Sequence, residues 1–361
     1  MEREHSMAVT IKRIAELAGV STGTVDRALH DRGRVDPKVA QRVKQIAMEL
    51  NYQPNSVAKS LSIRNRNLKI AVVLHLDAPN SFFDDVIAGI NRAREEIQDF
   101  GISVEMYPCR DFDPDDQLAL IDKAIGDGAN AMIIVPINDD RIRQRLNALY
   151  ESQFPVAFLT NILEGAHYLS YIGCDYRLAG QITAGLLNMV QPSGGNLLLF
   201  SPSFQMYGHT LRAEGLRTQL LQAYPQIQLL DTVELSGEDI RDYQLTTAAL
   251  RQHPDTNMIV CPGAFSCGNL QAIADCGKLS HCKTLCYDYS SRIDAMIRSG
   301  DIFAALTQCP QEQGYTAVKT VFNYLCMDKK PPFRNNYIRT RIVLRENISE
   351  INQIRAEYNQ A

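Results

Sequence analysis

Hydrophobic positions near the start of the chain recur with the spacing of an amphipathic helix. Ile11, Ile14, Ala15 and Ala18 follow the i, i+3, i+4, i+7 pattern that places apolar side chains on one helix face. Thr10 precedes this segment as a suitable N-cap, and Gly19 follows it, where a left-handed residue ends many helices. The pattern predicts a first short helix between these two residues.

Two more helices are predicted by the same kind of signal. Ser21 can cap a second short helix from Thr22 to Leu29, which leaves Arg27 on its polar face. Asp36 followed by Pro37 is typical of the start of a third helix. Two short helices joined by a glycine-containing turn form a helix-turn-helix, and the third helix would complete a small core.

From Leu68 onward, apolar runs typical of strands alternate with amphipathic helices. The first series places strands at 68–76, 103–107, 131–135 and 156–159. A second series begins with a strand near Tyr171 and continues to the strand at 284–286. This alternation is typical of parallel sheets with helices on both faces. The predicted fold is a small all-α helix-turn-helix headpiece followed by two doubly wound α/β lobes with a cleft between them.

The predicted boundaries divide the chain into three parts. The headpiece takes residues 8–55, a hinge helix and linker take 56–67, and a ligand-binding domain takes 68–361. Within the ligand-binding domain, an N-terminal lobe spans about 68–168 plus 310–330, and a C-terminal lobe spans about 169–306 plus 331–361. A length of 361 residues exceeds what one hydrophobic core usually accommodates.

Charge is distributed unevenly between these parts. Residues 1–69 contain 13 lysines and arginines and 7 acidic residues, a net charge of +6, whereas the whole chain carries −4. A basic segment in an acidic protein points to a polyanionic partner. Three short amphipathic helices could also form an ordinary bundle or a protein-interaction module, but this charge asymmetry favours DNA.

The segment from Val9 to Ser62 resembles the headpiece of the LacI (lactose-repressor) family of bacterial transcription regulators. The resemblance is carried by IAELAGVS, TVDRAL and ELNYQPNSVAKSL. It implies a homodimer, or a higher oligomer, on pseudo-palindromic double-stranded operator DNA. It also implies DNA contacts from Thr10, Ser21, Thr22, Gly23, Thr24, Arg27, Asn55, Ala58 and Leu61.

Three headpiece residues have distinct expected roles. Arg27 is the leading candidate for base reading, because a guanidinium can bond two acceptors of guanine at once, and a phosphate contact is the alternative. Leu61 in the hinge is expected to wedge into the minor groove, or else to pack against its dimer mate. Asp26 stands where the family usually has a small hydroxyl residue, and its role stays open.

The body resembles sugar-binding periplasmic proteins and LacI-type effector domains from about Leu68 to the end. In open α/β sheets the ligand lies beyond the carboxyl ends of the strands. The Asn80-Ser81-Phe82-Phe83 segment follows the first strand, where an aromatic face can stack on a sugar, although both phenylalanines are alternatively core residues. The resemblance implies that the ligand is contacted by Asn80, Phe82, Phe83, Asn138, Arg212, Asp288 and Gln308.

Two further residues are weaker ligand candidates. Asp175 is expected to cap a helix more than to bind ligand. Gly263 stands where many sugar binders have Asn or Asp, and His209 is the candidate that could supply the missing hydrogen-bond donor.

Several other classes of protein are disfavoured. The chain has no GxGxxG, GxxxxGK[ST], HExxH or GxSxG motif, so neither an enzyme nor a cofactor is expected. Its nine cysteines form no CxxC pair and have irregular spacing, which favours buried thiols in a reducing compartment over a metal site. The charged N-terminus and the lack of a long apolar run predict a cytoplasmic protein without a membrane partner, with Met7 as an alternative start.

The sequence therefore predicts a transcriptional repressor whose operator affinity changes allosterically when a small polar ligand binds between the lobes. A sugar or polyol is the expected effector, with a nucleobase or a sugar phosphate as alternatives. A solute receptor that does not bind DNA is the competing class, and the basic headpiece counts against it.

Overall fold

The computed structural model describes residues 10–29, 33, 35–50, 52, 63–75, 82–110, 113–202, 206–279 and 281–359. The chain forms two compact units, one ending at Arg66 and one beginning at Asn67. Four of the predicted contact residues lie outside the described residues: Asn55, Ala58, Leu61 and Asn80.

Between Thr10 and Leu50, the described residues of the first unit form three helices, α1 (Ile11–Ala18), α2 (Thr22–Leu29) and α3 (Pro37–Glu49). Each begins at a residue whose side chain accepts a backbone N–H. Thr10 accepts from Arg13, Ser21 from Thr24, and Asp36 from Lys38 and Val39. Gly19 ends α1 in the left-handed conformation with φ 66°. The buried side chains form one miniature core: Ile14, Ala15, Ala18, Val25, Ala28, Val43 and Ala47.

The second unit contains twelve strands within its described residues. They are β1 (Lys69–His75), β2 (Ser103–Cys109), β3 (Ala131–Ile134), β4 (Val156–Leu159), β5 (Ser170–Gly173), β6 (Gly195–Ser201), β7 (Ile227–Glu234), β8 (Met258–Cys261), β9 (Lys283–Tyr287), β10 (Ala304–Thr307), β11 (Asn335–Tyr337) and β12 (Arg341–Val343).

Ten α-helices accompany these strands within the same part of the chain. They are α4 (Phe82–Ile97), α5 (Pro114–Gly126), α6 (Asp140–Glu151), α7 (Tyr176–Val190), α8 (Tyr207–Ala223), α9 (Asp239–Gln252), α10 (Cys267–Asp275), α11 (Ser291–Ser299), α12 (Pro310–Met327) and α13 (Ile348–Asn359). None of the described helices is long and apolar enough to cross a membrane.

The strands form two sheets, one for each lobe. The first has the order β11-β5-β4-β3-β1-β2, and the second has the order β12-β10-β9-β8-β6-β7. All neighbours are parallel except β10 and β12, which are antiparallel. The central strands are buried along their whole length, as expected for sheets covered on both faces. The two predicted doubly wound lobes are confirmed.

The predicted boundaries between the lobes are wrong at two strands. β5 and β11 were assigned to the C-terminal lobe, as parts of 169–306 and 331–361, but both lie in the first sheet. β5 pairs with β4 because an irregular, helix-free connection at 160–169 brings it alongside its predecessor. A sequence pattern identifies a strand without showing which sheet it joins.

The chain passes between the lobes near Cys174, near Gln308 and near Ile338, where strands and helices of different sheets follow one another. After the first passage, α7 packs against α8 with almost no space between their backbones. A Cβ atom at Gly180 would lie 2.1 Å from the carbonyl oxygen of Arg212, and one at Gly215 would lie 2.2 Å from that of Arg177. This close approach requires glycine at both positions.

Candidate functional site

A cavity of about 600 Å³ lies between the lobes of the second unit. It is bounded by segments that follow β1 and β4 in the first sheet and β6 to β10 in the second, so it lies at the carboxyl ends of the strands. Six of the predicted ligand residues line it: Phe82, Phe83, His209, Arg212, Asp288 and Gln308.

Arg212 is the largest fully buried side chain, with 1% of its surface exposed. Its guanidinium lies between two aromatic rings, 4.7 Å from the centroid of Tyr176 and 4.1 Å from that of Tyr287. Nη1 donates to the carbonyl oxygen of Pro262 at 2.6 Å. Burial alone would lower the pKa of Arg212. The interactions with Cys174 and with the Asp288 carboxylate raise it, and the net pKa lies above its usual value. The cavity thus contains a fixed positive charge in a rigid setting.

Asp288 supplies a carboxylate to the same cavity. Its φ of 63° turns the chain directly after β9, and its Oδ1 accepts from Nε2 of Gln308 at 2.7 Å. Burial raises its pKa, and the charge of Arg212 together with the Gln308 hydrogen bond opposes that rise. The arrangement holds an acceptor and an amide side by side, which suits hydroxyl groups that both donate and accept.

His209 occupies the space that a side chain at position 263 would need. A Cβ atom at Gly263 would lie 2.8 Å from Cγ of Pro202 and 3.0 Å from Nε2 of His209. The imidazole therefore lies close to the position where many sugar binders have Asn or Asp. That His209 supplies the missing polar group stays a prediction.

Phe82 and Phe83 are core residues that also line the cavity, and their contact with a sugar stays a prediction. They are 9% and 6% exposed, so they are largely core residues, yet both line the cavity. Their rings meet edge to face with centroids 5.3 Å apart. They give the cavity an apolar wall.

Two other candidates lie elsewhere. Asn138 is exposed in the turn before α6 and does not line the cavity, so the prediction that it contacts ligand is not supported. The neighbouring Asp139 caps α6, so Asn138 lies at the start of this helix. Asp175 caps α7 by accepting from the backbone N–H of Leu178, and it also lies outside the cavity lining.

Three cavity-lining side chains each retain a buried polar atom with no hydrogen-bond partner among the described residues. These atoms are Oγ1 of Thr160, Nε of Arg212 and Oδ2 of Asp242. Native proteins rarely leave such atoms unpaired, since each costs about 1–3 kcal/mol. Thr160 also has a φ of 55°, an uncommon conformation for a β-branched residue, at the position after β4.

Sequence reasoning missed Thr160, Asp242 and a third cavity residue, Asp85. Each is a polar residue in or near the segment that follows a strand, and that position was the available signal. Asp85 is 6% exposed and lies in α4, where its Oδ2 is 2.9 Å from Nη2 of Arg355 in α13. Because α13 packs into the core of the second lobe through Ile348 and Ile351, this ion pair joins the two lobes.

A second interlobe contact involves the loop after β4. Oδ1 of Asn161, in the loop after β4, accepts the backbone N–H of Gly208 at the start of α8. The hydroxyl of Tyr207 donates to Glu164 at 2.7 Å. The described conformation therefore holds the lobes together by polar contacts around the cavity.

In the first unit, the polar face of α2 has the exposure that DNA reading requires. Ser21, Thr22, Gly23 and Arg27 are exposed, and Thr24 is half-buried. Nη2 of Arg27 donates to Oγ1 of Thr24 at 3.3 Å, an exposed contact that a stronger acceptor could replace.

Asp26 lies close enough to Tyr52 for its charge to matter. Burial of the phenol, and then the negative charge of Asp26, raise the pKa of Tyr52. This electrostatic interaction lies within the headpiece, between a residue of α2 and a residue that follows α3.

The cysteines provide no metal site among the described residues, where no group of three or more His, Cys, Asp or Glu side chains could hold a metal ion. All nine lie within the described residues, where none forms a disulfide, and six are buried. Burial raises the pKa of the Cys261 and Cys286 thiols in the second-lobe core, so these thiols are poor nucleophiles and poor metal ligands.

The fold and the cavity define a class: a ligand-binding body of two α/β lobes that follows a helix-turn-helix headpiece. Comparison with known families agrees. Residues 70–330 match the family described as periplasmic binding protein domain, and residues 10–55 match bacterial regulatory proteins, lacI family. The body therefore belongs to the family of periplasmic binding protein domains, and the headpiece is a LacI-family helix-turn-helix domain.

Named relatives are regulators of the same kind. The chain is 28% identical to the ribose operon repressor of Bacillus subtilis over 266 residues, which is 73% of this chain and 74% of that protein. It is 37% identical to the transcriptional regulator MalR of Streptococcus pneumoniae over 94 residues, 25% of this chain and 28% of MalR.

Solved structures share the fold of the body. A LacI transcriptional regulator from Bacteroides fragilis superimposes with a TM-score of 0.71 at 20% identity and covers 79% of this chain and 99% of that one. A solute-binding protein from Agrobacterium vitis, bound with α-D-tagatopyranose, gives a TM-score of 0.72 at 20% identity, covering 81% and 99%.

Proposed function

We propose that this chain is an operator-binding repressor that acts as a homodimer and has no catalytic activity. Its affinity for DNA changes when a sugar or polyol binds in the cavity between the lobes. The observation that carries the proposal is the cavity itself, whose buried, unpaired polar atoms lie beside an apolar wall of phenylalanines.

The chemistry of the cavity supports a polyhydroxylated effector. Thr160, Arg212 and Asp288 offer hydroxyl, guanidinium and carboxylate groups, which together can satisfy hydroxyls as donors and as acceptors. The aromatic wall suits the C–H face of a sugar ring. A nucleobase or sugar phosphate is the alternative effector, and the sugar-named relatives favour a sugar.

The proposed mechanism is linkage between two sites. A ligand that contacts both lobes stabilises one lobe orientation over another, and the two headpieces of a dimer then fit the operator half-sites better or worse. Thr10, Ser21, Thr22, Gly23, Thr24 and Arg27 would contact DNA, together with the hinge residues Asn55, Ala58 and Leu61.

Two experiments test the proposal. Selection from random duplexes with the full chain should return a pseudo-palindrome, because a two-fold dimer needs two half-sites; a selection without any preferred sequence would contradict the DNA-binding part. Thermal unfolding with a panel of sugars, polyols, sugar phosphates and nucleobases should show stabilisation by a sugar or polyol. Saturation at a hundredfold excess over Kd adds about 2.7 kcal/mol. Stabilisation by nucleobases alone would contradict the sugar part.

A further inference from the structure

The cavity extends well beyond the Arg212 region, along the edge of the second sheet. Its lining includes residues that follow β10, β9, β8, β6 and β7, which are five consecutive strands in the sheet. Neighbouring strands lie about 4.8 Å apart, so the four spacings add up to roughly 19 Å. A floor of this length is longer than a single six-membered sugar ring.

The far end of this floor, after the edge strand β7, contains a buried carboxylate that is only half satisfied. Asp242 is 0% exposed, and its Oδ1 accepts from the backbone N–H and the hydroxyl of Ser236 at 2.7 and 2.9 Å. Its Oδ2 has no hydrogen-bond partner among the described residues. A buried acceptor held in place by two hydrogen bonds, with its second oxygen unpaired, is suited to a ligand hydroxyl.

The same cavity is also lined by two hydroxyl groups that can donate hydrogen bonds. Ser266 and Ser290 line the cavity and cap α10 and α11, each accepting a backbone N–H through its hydroxyl oxygen. Because that oxygen accepts, the hydroxyl proton is directed elsewhere and can donate. Tyr289 and Phe265 add aromatic surface beside them. This part of the cavity therefore combines hydroxyl, carboxylate and aromatic groups, as the Phe82, Thr160 and Arg212 end combines aromatic, hydroxyl and guanidinium groups.

We propose that the cavity has two subsites and that the effector is a disaccharide or a longer saccharide. One ring lies at the Phe82, Thr160 and Arg212 end, and a second ring lies over the ends of β8, β6 and β7 and donates a hydroxyl to Oδ2 of Asp242. This inference rests on the proposed function, since it specifies the size of the saccharide.

The test compares pairs of ligands on the full chain by isothermal titration calorimetry. The panel pairs disaccharides of glucose, galactose, mannose and fructose with the methyl glycosides of their individual rings. At least one disaccharide should bind tenfold or more tightly than the methyl glycosides of both its rings. This comparison needs no substitution, so it does not depend on the folding of a variant.

Substitution then locates the second ring. Asp242→Asn keeps the size of the side chain and can keep the contact with Ser236, but it replaces the unpaired acceptor with an NH₂ donor. The preference for disaccharide over methyl glycoside should fall about tenfold. Asp275→Asn is the matched control, because Asp275 bonds to Tyr243 and Gln271 outside the cavity lining. The control should keep the wild-type preference.

The outcomes separate the inference from the proposed function. If methyl glycosides bind and no disaccharide binds more tightly, the second subsite is wrong and the sugar effector stands. An Asp242→Asn chain with an unchanged preference also overturns the assignment. If no saccharide in the panel binds, the proposed sugar effector is wrong, and the proposal of two subsites is wrong as well.

Discussion

The ion pair between Asp85 and Arg355 should stabilise the body in a pH-dependent way. The Asp85 side chain is 8% exposed and that of Arg355 is 23% exposed. Removing one partner of a buried pair costs about 3–5 kcal/mol, because the other charge stays buried without compensation. Since the guanidinium is partly in contact with solvent, which screens part of the interaction, we expect Arg355→Met to cost about 2–3 kcal/mol near neutral pH.

The direction of the pH dependence follows from the pKa of Asp85. Burial already raises this pKa, and Arg355 is the main group that opposes the rise, so the substitution should raise it further. A carboxyl whose pKa is higher in the folded than in the unfolded protein keeps its proton more tightly in the folded state. The free energy of unfolding therefore falls as pH rises above the unfolded pKa of about 3.9. The loss caused by Arg355→Met should therefore shrink as pH falls from about 7.5 to about 5, because a protonated Asp85 needs no cation.

Urea unfolding followed by far-UV circular dichroism measures this loss, and the absence of tryptophan makes it preferable to fluorescence. Arg145→Met is the matched control. Arg145 pairs with Asp122 at 2.7 Å, with side chains 35% and 61% exposed, and should contribute at most about 1 kcal/mol. Equal losses in the two variants, or an Arg355→Met loss that stays constant between the two pH values, would refute the reasoning.

Three further predictions concern the headpiece and the cavity. Arg27→Ala should relax base preference at one position per half-site, costing about 1–3 kcal/mol in competition binding to operator variants, whereas equal weakening on every sequence would make Arg27 a phosphate contact. Gly180→Ala should lower the free energy of unfolding in urea by about 1–3 kcal/mol, because the added Cβ pushes α8 away. Gly185→Ala in the same helix should be neutral or stabilising, because its added Cβ would lie 3.8 Å from the nearest atom. Gly263→Asn should reduce ligand-induced thermal stabilisation more in the wild-type background than in the His209→Ala background. If the effects of the two substitutions simply add, positions 209 and 263 are not coupled.

Local signals predicted the elements that local interactions determine. Thr10, Ser21 and Asp36 were readable as helix caps because a capping side chain bonds within three residues of its own position. The alternation of strands and helices in the body was readable for the same reason, since burial on both faces leaves continuous apolar runs.

Features that depend on distant residues were missed or misplaced. β5 was given to the wrong lobe because an apolar run indicates a strand but not the strands it pairs with, here β4 and β11. The resemblance gave Arg212 and Asp288, but it also gave Asn138, whose loop faces solvent here. Asp242 and Arg355 could not be found by pattern, because an acidic or basic residue in a helix is ordinarily solvated, and only the three-dimensional packing shows that these two are buried or paired.

The close backbone contacts at Gly180 and Gly215 make α7 and α8 a single rigid unit. With carbonyl oxygens already in van der Waals contact with Gly180 and Gly215, neither helix can shift sideways without moving the other. Arg212 lies in α8, and α7 begins at Tyr176, directly after the chain has passed from the first lobe to the second. A ligand that displaces the guanidinium would therefore move both helices together. The connection between the lobes, which lies directly before α7, would move with them.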